Sequence, residues 1–129
     1  MHPHSPVLSH EEVEKRLNDA KSNLHNWFLE DGHLCRRYRT HGWKATLMVV
    51  NTIGHLAEAA WHHPDLLVSY DSLTVKLVTH SAGGLTAKDL ALAHKIESVI
   101  QWQPAHENQG LDGTPGNDPA HAYIRYDAP

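Results

Sequence analysis

The chain has one cysteine, Cys35, in 129 residues. An intramolecular disulfide is therefore impossible, and redox or zinc motifs built on paired cysteines are excluded. Long apolar runs are also missing. The stretch ATLMVVNTIGHLAEAA is broken by Thr46, Asn51, Thr52 and His55 and falls short of the roughly 20 residues that span a bilayer. Positive charge is not in excess: Lys and Arg total 11 against 15 Asp and Glu, a formal net charge of −4 with neutral histidines. Without a basic stripe, direct nucleic-acid binding has no electrostatic support. The start, MHPHSPVLSHEEVEKRL, lacks the apolar centre of a signal peptide and is too acidic for a typical transit peptide. A reducing cytoplasm is the expected compartment. Gly83-Gly84 is read as a turn, because the three-glycine spacing and strand-to-helix setting of a phosphate cradle are missing. No internal repeat is present.

What is abundant is histidine, with 13 residues. Protonating them reverses the sign of the net charge, so surface charge is expected to respond to pH near ~6. A hydrophobic content of 40% and a charged content of 20% fit one soluble globular domain with a single modest core.

Residues 1–8 read as a flexible leader. Ser9 and Glu12 form a capping box, and Val13, Leu17, Ala20 and Leu24 recur at helical spacing, which predicts a helix over 10–25. Asp31-Gly32 between short apolar runs predicts a hairpin with strands at 26–30 and 33–40. Cys35 falls in the second strand and reads as an inert thiol. From Trp43 to His62 the composition favours helix, apolar over so wide an arc that the sheet on one side and a partner subunit on the other would cover it. Trp43 and Trp61 are expected to pack. Pro64 pushes the preceding residue out of helical geometry, so this helix is expected to end at about His62–His63. Glu58 and His62, four apart, would then share a face. Strands follow at 65–70 and 73–80, joined at Asp71-Ser72. Thr86 and Asp89 make a second capping-box start for a helix reaching about Trp102. From Pro104 the chain turns rich in Gly, Pro, Asp and Asn and reads as an extended arm, with AYIRY suited to dock as a short strand. The domain is thus 9–103 and the arm 104–129. The predicted class is α+β, a four-stranded antiparallel sheet with about three helices packed on one face.

The polar residues around Pro64 fall in the pattern E-x3-H-H-P-x5-Y-x9-H-x8-D: Glu58, His62, His63, Pro64, Tyr70, His80 and Asp89. This pattern resembles the signature of the pterin-4a-carbinolamine dehydratase family at every position. The phrases HHPD, VKLVTH, GGLT and KDLALAHKIE are similar to that family as well. The resemblance spans about residues 24–100 and is absent from 104–129. It implies a small α+β domain that forms homodimers or homotetramers and dehydrates 4a-hydroxytetrahydropterins to quinonoid dihydropterins. The partner implied is a small-molecule pterin substrate; from the residues themselves no nucleic acid, membrane, metal or cofactor is expected.

Loss of hydroxide from carbon 4a needs a general acid, and the neighbouring ring nitrogen needs a general base. Histidine can do either near neutral pH. His62 is read as the acid, His80 as the base and His63 as the residue that orients the pterin; exchanging His62 and His80 fits the sequence equally. Glu58 would hold an imidazole in its useful tautomer. Asp89 is read as a helix cap that also faces substrate. Trp27 has two readings, core packing or a flat face against the pterin. The alternative for the whole chain is a non-catalytic scaffold that kept the fold. Retention of Glu58, His62, His63 and His80 together speaks for the enzyme.

Overall fold

The computed structural model describes residues 6–115 and 121–127. Helix α1, His10–Leu17, starts as its capping box dictates, with Ser9 Oγ accepting from the Glu12 N–H at 3.1 Å. Glu11 and Glu12 lie at its positive end and Lys15 and Arg16 at its negative end. The helix stops at Leu17, well before the predicted residue 25. Beyond it, the Asp19 side chain takes the Lys21 N–H and the Ser22 hydroxyl takes the Leu24 N–H, each at 2.8 Å. Short polar side chains here offer the backbone a turn instead of a further helical rung.

Strands β1, Phe28–Glu30, and β2, His33–Arg39, are joined by Asp31 and Gly32. Both turn residues have positive φ, 51° and 76°, as a type I′ turn requires. Helix α2, Trp43–Ala60, leads to β3, Asp65–Ser69, and β4, Ser72–Leu77. Their turn falls on Tyr70-Asp71, one residue earlier than predicted. Helix α3, Ala87–Ile100, follows a full capping box from Thr86 and Asp89. The antiparallel sheet has the order β1-β2-β4-β3. Its register puts Leu34, Tyr38, Leu73, Val75 and Leu77 on one face, all at most 1% exposed. Val49 and Ile53 of α2 and Ala93 and Ile96 of α3 meet them at 0% exposure. Val13 and Leu17 of α1 join the same core.

Only part of the α2 apolar arc is used. Trp43, Met48 and Trp61 are 49%, 54% and 75% exposed, so the expectation that these tryptophans pack is not met within one chain. Cys35 is buried, and burial followed by nearby Glu30 raises its thiol pKa, which keeps it unreactive.

Both ends of the chain are attached to this core. Of the expected leader, residues 1–5 lie outside the described residues. Leu8, however, donates its N–H to the Leu85 carbonyl at 2.8 Å, and Val7 lies so close to Gly84 that a Cβ there would meet Val7 Cγ1 at 2.9 Å. Of the arm, 104–115 and 121–127 are described. Ile124 pairs with Thr40 in an antiparallel bridge, and the Arg125 N–H bonds the Arg39 carbonyl at 2.9 Å. β1 pairs only with residues 33–35 of β2, so the arm takes up the same edge farther along. Ile124 is 0% exposed and completes the core. The expected short strand is therefore a single bridge.

Candidate active site

The end of α2 decides where the adjacent histidines go. His62 N–H bonds the Ala57 carbonyl at 3.1 Å and Trp61 N–H bonds the Glu58 carbonyl at 3.2 Å. This is a Schellman closure, with Trp61 in the left-handed region at φ 53°, ψ 46°. The helix thus ends at Ala60, before Pro64 can act, and His62 lies outside it. The i, i+4 relation between Glu58 and His62 is lost at that point.

Each histidine of the pair takes a different carboxylate. His62 Nε2 is 2.7 Å from Asp89 Oδ1. Asp89 is 0% exposed, and its Oδ2 accepts from the Thr79 hydroxyl at 2.7 Å and from the Thr86 N–H at 2.9 Å. Thr79 and Thr86 share a further hydroxyl hydrogen bond at 2.9 Å. A carboxylate only accepts, so Nε2 of His62 carries the hydrogen and Nδ1 is left for other chemistry. His63 Nε2 meets Glu58 Oε1 at 2.7 Å on the open surface. The Trp61 ring stands edge-on to the His63 imidazole, with centroids 5.0 Å apart.

Measured against the sequence, Glu58 does meet an imidazole, but that of His63. Asp89 caps α3 and also holds His62, a contact that sequence spacing across a strand and a loop does not reveal. His80 opens the 3₁₀ turn His80–Ala82 rather than closing the strand, and it is exposed. Its chain neighbour Thr79 is bonded to Asp89, which ties His80 to the same carboxylate through one residue. Trp27 is not brought to this cluster. It is 3% exposed, and its Nε1–H donates to Glu97 Oε1 at 2.8 Å, so core packing is its role here.

A cavity of about 550 Å³ opens beside His80, walled by Leu8, His10, Asp31, His33 and Gly84. His62, His63 and Asp89 are not part of its wall within one chain. Among the described residues, no three His, Cys, Asp or Glu side chains are grouped so as to hold a metal ion.

Residues 6–99 match the sequence profile of the family described as pterin 4 alpha carbinolamine dehydratase. The chain belongs to that family. A relative from Aquifex aeolicus is 45% identical over 94 residues, covering 73% of this chain and 91% of the relative. One from Roseiflexus castenholzii is 35% identical over 94 residues, covering 73% and 97%. Both carry the name "Putative pterin-4-alpha-carbinolamine dehydratase". Among solved structures, a protein titled transcriptional coactivator/pterin dehydratase from Brucella melitensis superimposes with a TM-score of 0.63 at 23% identity, covering 72% of this chain and 97% of that one. That likeness shows a shared fold.

Within the dehydratase domain, sequence reasoning missed Thr79 and Thr86 as partners of the Asp89 carboxylate. It also missed a second buried carboxylate, Glu97, which takes Trp27 Nε1, Arg36 Nε and Nη2, and the Tyr38 hydroxyl at 2.7 to 3.1 Å. A signal was available: Glu97 sits between Ile96 and Ile100 on the apolar stripe of α3. A glutamate there needs several donors to be worth burying.

Proposed function

We propose that this chain dehydrates 4a-hydroxytetrahydropterin to quinonoid dihydropterin in tetrahydropterin recycling, by acid and base catalysis from its histidines. The C4a–O bond breaks and the hydroxyl leaves as water with a proton from the acid. The neighbouring ring nitrogen gives its proton to the base, and its electrons form the new C=N bond. His62 is the acid, delivering from Nδ1, and the Asp89 carboxylate behind it offsets the charge of the protonated ring. His80 is the base. His63, steadied by Glu58, orients the pterin, and Asp89 acts on the substrate through His62.

The observation that carries this reading is the His62–Asp89 contact of 2.7 Å onto a carboxylate with no exposed surface. A scaffold gains little from a buried carboxylate aimed at a partly buried imidazole. The chain works in the cytoplasm, as a homodimer or homotetramer joined through the uncovered side of α2 around Leu47 and Met48. Light scattering of the purified protein tests that assembly.

Dehydration of freshly made 4a-hydroxytetrahydropterin, followed by ultraviolet absorbance against the uncatalysed background, tests the function. Acceleration that collapses in His62→Ala and His80→Ala is expected. A background rate from folded wild-type protein would overturn the reading.

A further inference from the structure

Four of the five arginines in the chain line one cleft. Arg36, Arg37, Arg39 and Arg125 surround a space of about 560 Å³, together with Asn26, Tyr126 and Asp127. None of the six lysines does. In a chain of net charge −4 this concentration of guanidinium is not a reflection of composition. The cleft lies where the arm crosses the edge of β2, and the arm supplies Arg125, Tyr126 and Asp127. Those three residues lie beyond the 6–99 region shared with the family.

The four guanidiniums are not equivalent. Arg36 is committed: it donates to Glu97, to the Arg37 carbonyl at 3.0 Å and to Asp127. Arg37 gives only Nε, to Thr74 Oγ1 at 3.4 Å, and Arg125 gives only Nε, to the Thr40 carbonyl at 3.3 Å. Arg39 has no side-chain hydrogen bond among the described residues. Among those residues no carboxylate pairs with Arg37, Arg39 or Arg125, and all three are exposed. Among the described residues Asp127 is the single acid in the cleft, and Arg36 and Asn26 already hold it.

The ordinary reading of charged residues on a sheet edge is that they keep other strands away. It does not fit here. The arm already covers this stretch of the edge, and while its Asp127 is held by Arg36 and Asn26, its Arg125 adds a further guanidinium without a carboxylate partner among the described residues. Arginine rather than lysine is the residue for forked, two-point recognition of oxyanions.

We infer that this cleft is a binding site for the phosphate of a small phosphorylated molecule, with Arg37, Arg39 and Arg125 as its three forks. Arg37 and Arg39 are two apart on β2, roughly 7 Å along the strand. The Arg125 backbone is bonded to that of Arg39, so all three lie within the span of one ligand. A phosphate presents three terminal oxygens, whereas one carboxylate has only two. The cleft volume suits a small molecule, with the Tyr126 ring and Asn26 amide beside the anion.

Isothermal titration calorimetry of the full chain with inorganic pyrophosphate tests the site, at ~0.1 M salt so that diffuse attraction is screened. Saturable binding of one pyrophosphate per chain is expected. Arg37→Gln with Arg39→Gln should weaken it by roughly tenfold or more, as should Arg125→Gln alone. Arg37→Lys keeps the charge and loses the fork, and is expected to behave like the glutamine variant. Lys95→Gln, away from the cleft, should bind as the wild type does. Citrate should bind more weakly than pyrophosphate by a similar factor. No saturable binding, or equal binding by the double variant, would overturn the site. Citrate as tight as pyrophosphate would overturn its assignment to phosphate. Circular dichroism shows whether each variant is folded, and the dehydration rate, read separately, is expected to stay unchanged.

Discussion

Asp89→Asn keeps the shape of the side chain and exchanges one oxygen for an NH₂ group. Its orientation is then forced. The Oδ2 position faces the Thr86 N–H, a donor that cannot accept, so the amide oxygen must stay there and the NH₂ must turn to His62. His62 Nε2 becomes an acceptor, and the imidazole hydrogen moves to Nδ1. Every buried polar atom is still paired. The stability cost is therefore the change from charge-assisted to neutral bonds, about 1 kcal/mol, plus a few tenths for the lost charge at the start of α3. The rate is a different matter. The protonated ring would turn its Nε2–H toward a donor and has no carboxylate behind it, so a loss of about 10²- to 10⁴-fold is expected. Urea denaturation measures the first quantity and ultraviolet absorbance of the dehydration measures the second. A folded variant with the wild-type rate would refute the role of the pair in catalysis. A stability loss beyond about 4 kcal/mol would refute the claim that the amide stays satisfied.

Trp61→Gly should raise the urea midpoint by the equivalent of about 1 kcal/mol, because Trp61 holds a left-handed conformation that costs an L-residue about that much. A lower midpoint would mean that its exposed ring contributes more than the strain it imposes. Ile124→Ala should cost about 2 to 5 kcal/mol if the arm unfolds with the core, whereas a loss near zero would show that the arm detaches alone. Glu97→Gln weakens the partner of a buried guanidinium and should cost about 3 kcal/mol or more. A near-neutral result by denaturation would show that Asp127 alone sustains Arg36. Tyr123 is pushed up to about 12, first by burial and then by neighbouring Tyr126. A raised folded value gives stability that is intact below about pH 10 and lost as pH rises through about 12. Tyrosinate absorbance should therefore appear late for this residue, and a normal titration of Tyr123 on the folded chain would contradict the docking of the arm.

The hairpins and helix starts were legible because their signals are local. Asp31-Gly32 has few other uses between apolar runs, and Ser9 with Glu12, like Thr86 with Asp89, names its own hydrogen bonds. The helix ends were harder. Nothing in LNDAKSNL forbids another turn of helix; Asp19 and Ser22 simply compete better for the backbone. Trp61 is the sharper case. A tryptophan is a rare choice for a left-handed position, so the sequence pointed to Pro64 as the terminator. The error was two residues, yet it moved His62 off the helix and gave Glu58 to His63. Spacing rules hold only inside an element, and the site lies just past the end of one. The pairing of His62 with Asp89 joins residues 27 apart and depends on how α2 and α3 meet, which no local pattern encodes.

Helix α3 carries both carboxylates that are buried among the described residues, Asp89 in its first turn and Glu97 in its last. Eight residues of helix set them about 12 Å apart along one rod. Asp89 serves the histidines, and Glu97 fixes Arg36 and with it β2. Arg36 is 5% exposed, and its surroundings hold its pKa up: burial alone would lower it, and Glu97, Tyr38 and Asp127 together outweigh that. Glu97 takes its Nε and Nη2. Asp127 of the arm is a second acid on the same guanidinium. What Asp127 does is fasten the arm at the point where Arg125 joins Arg37 and Arg39. In this way the arm can gather a cationic cleft at one end of α3 without disturbing the carboxylate that holds His62 at the other.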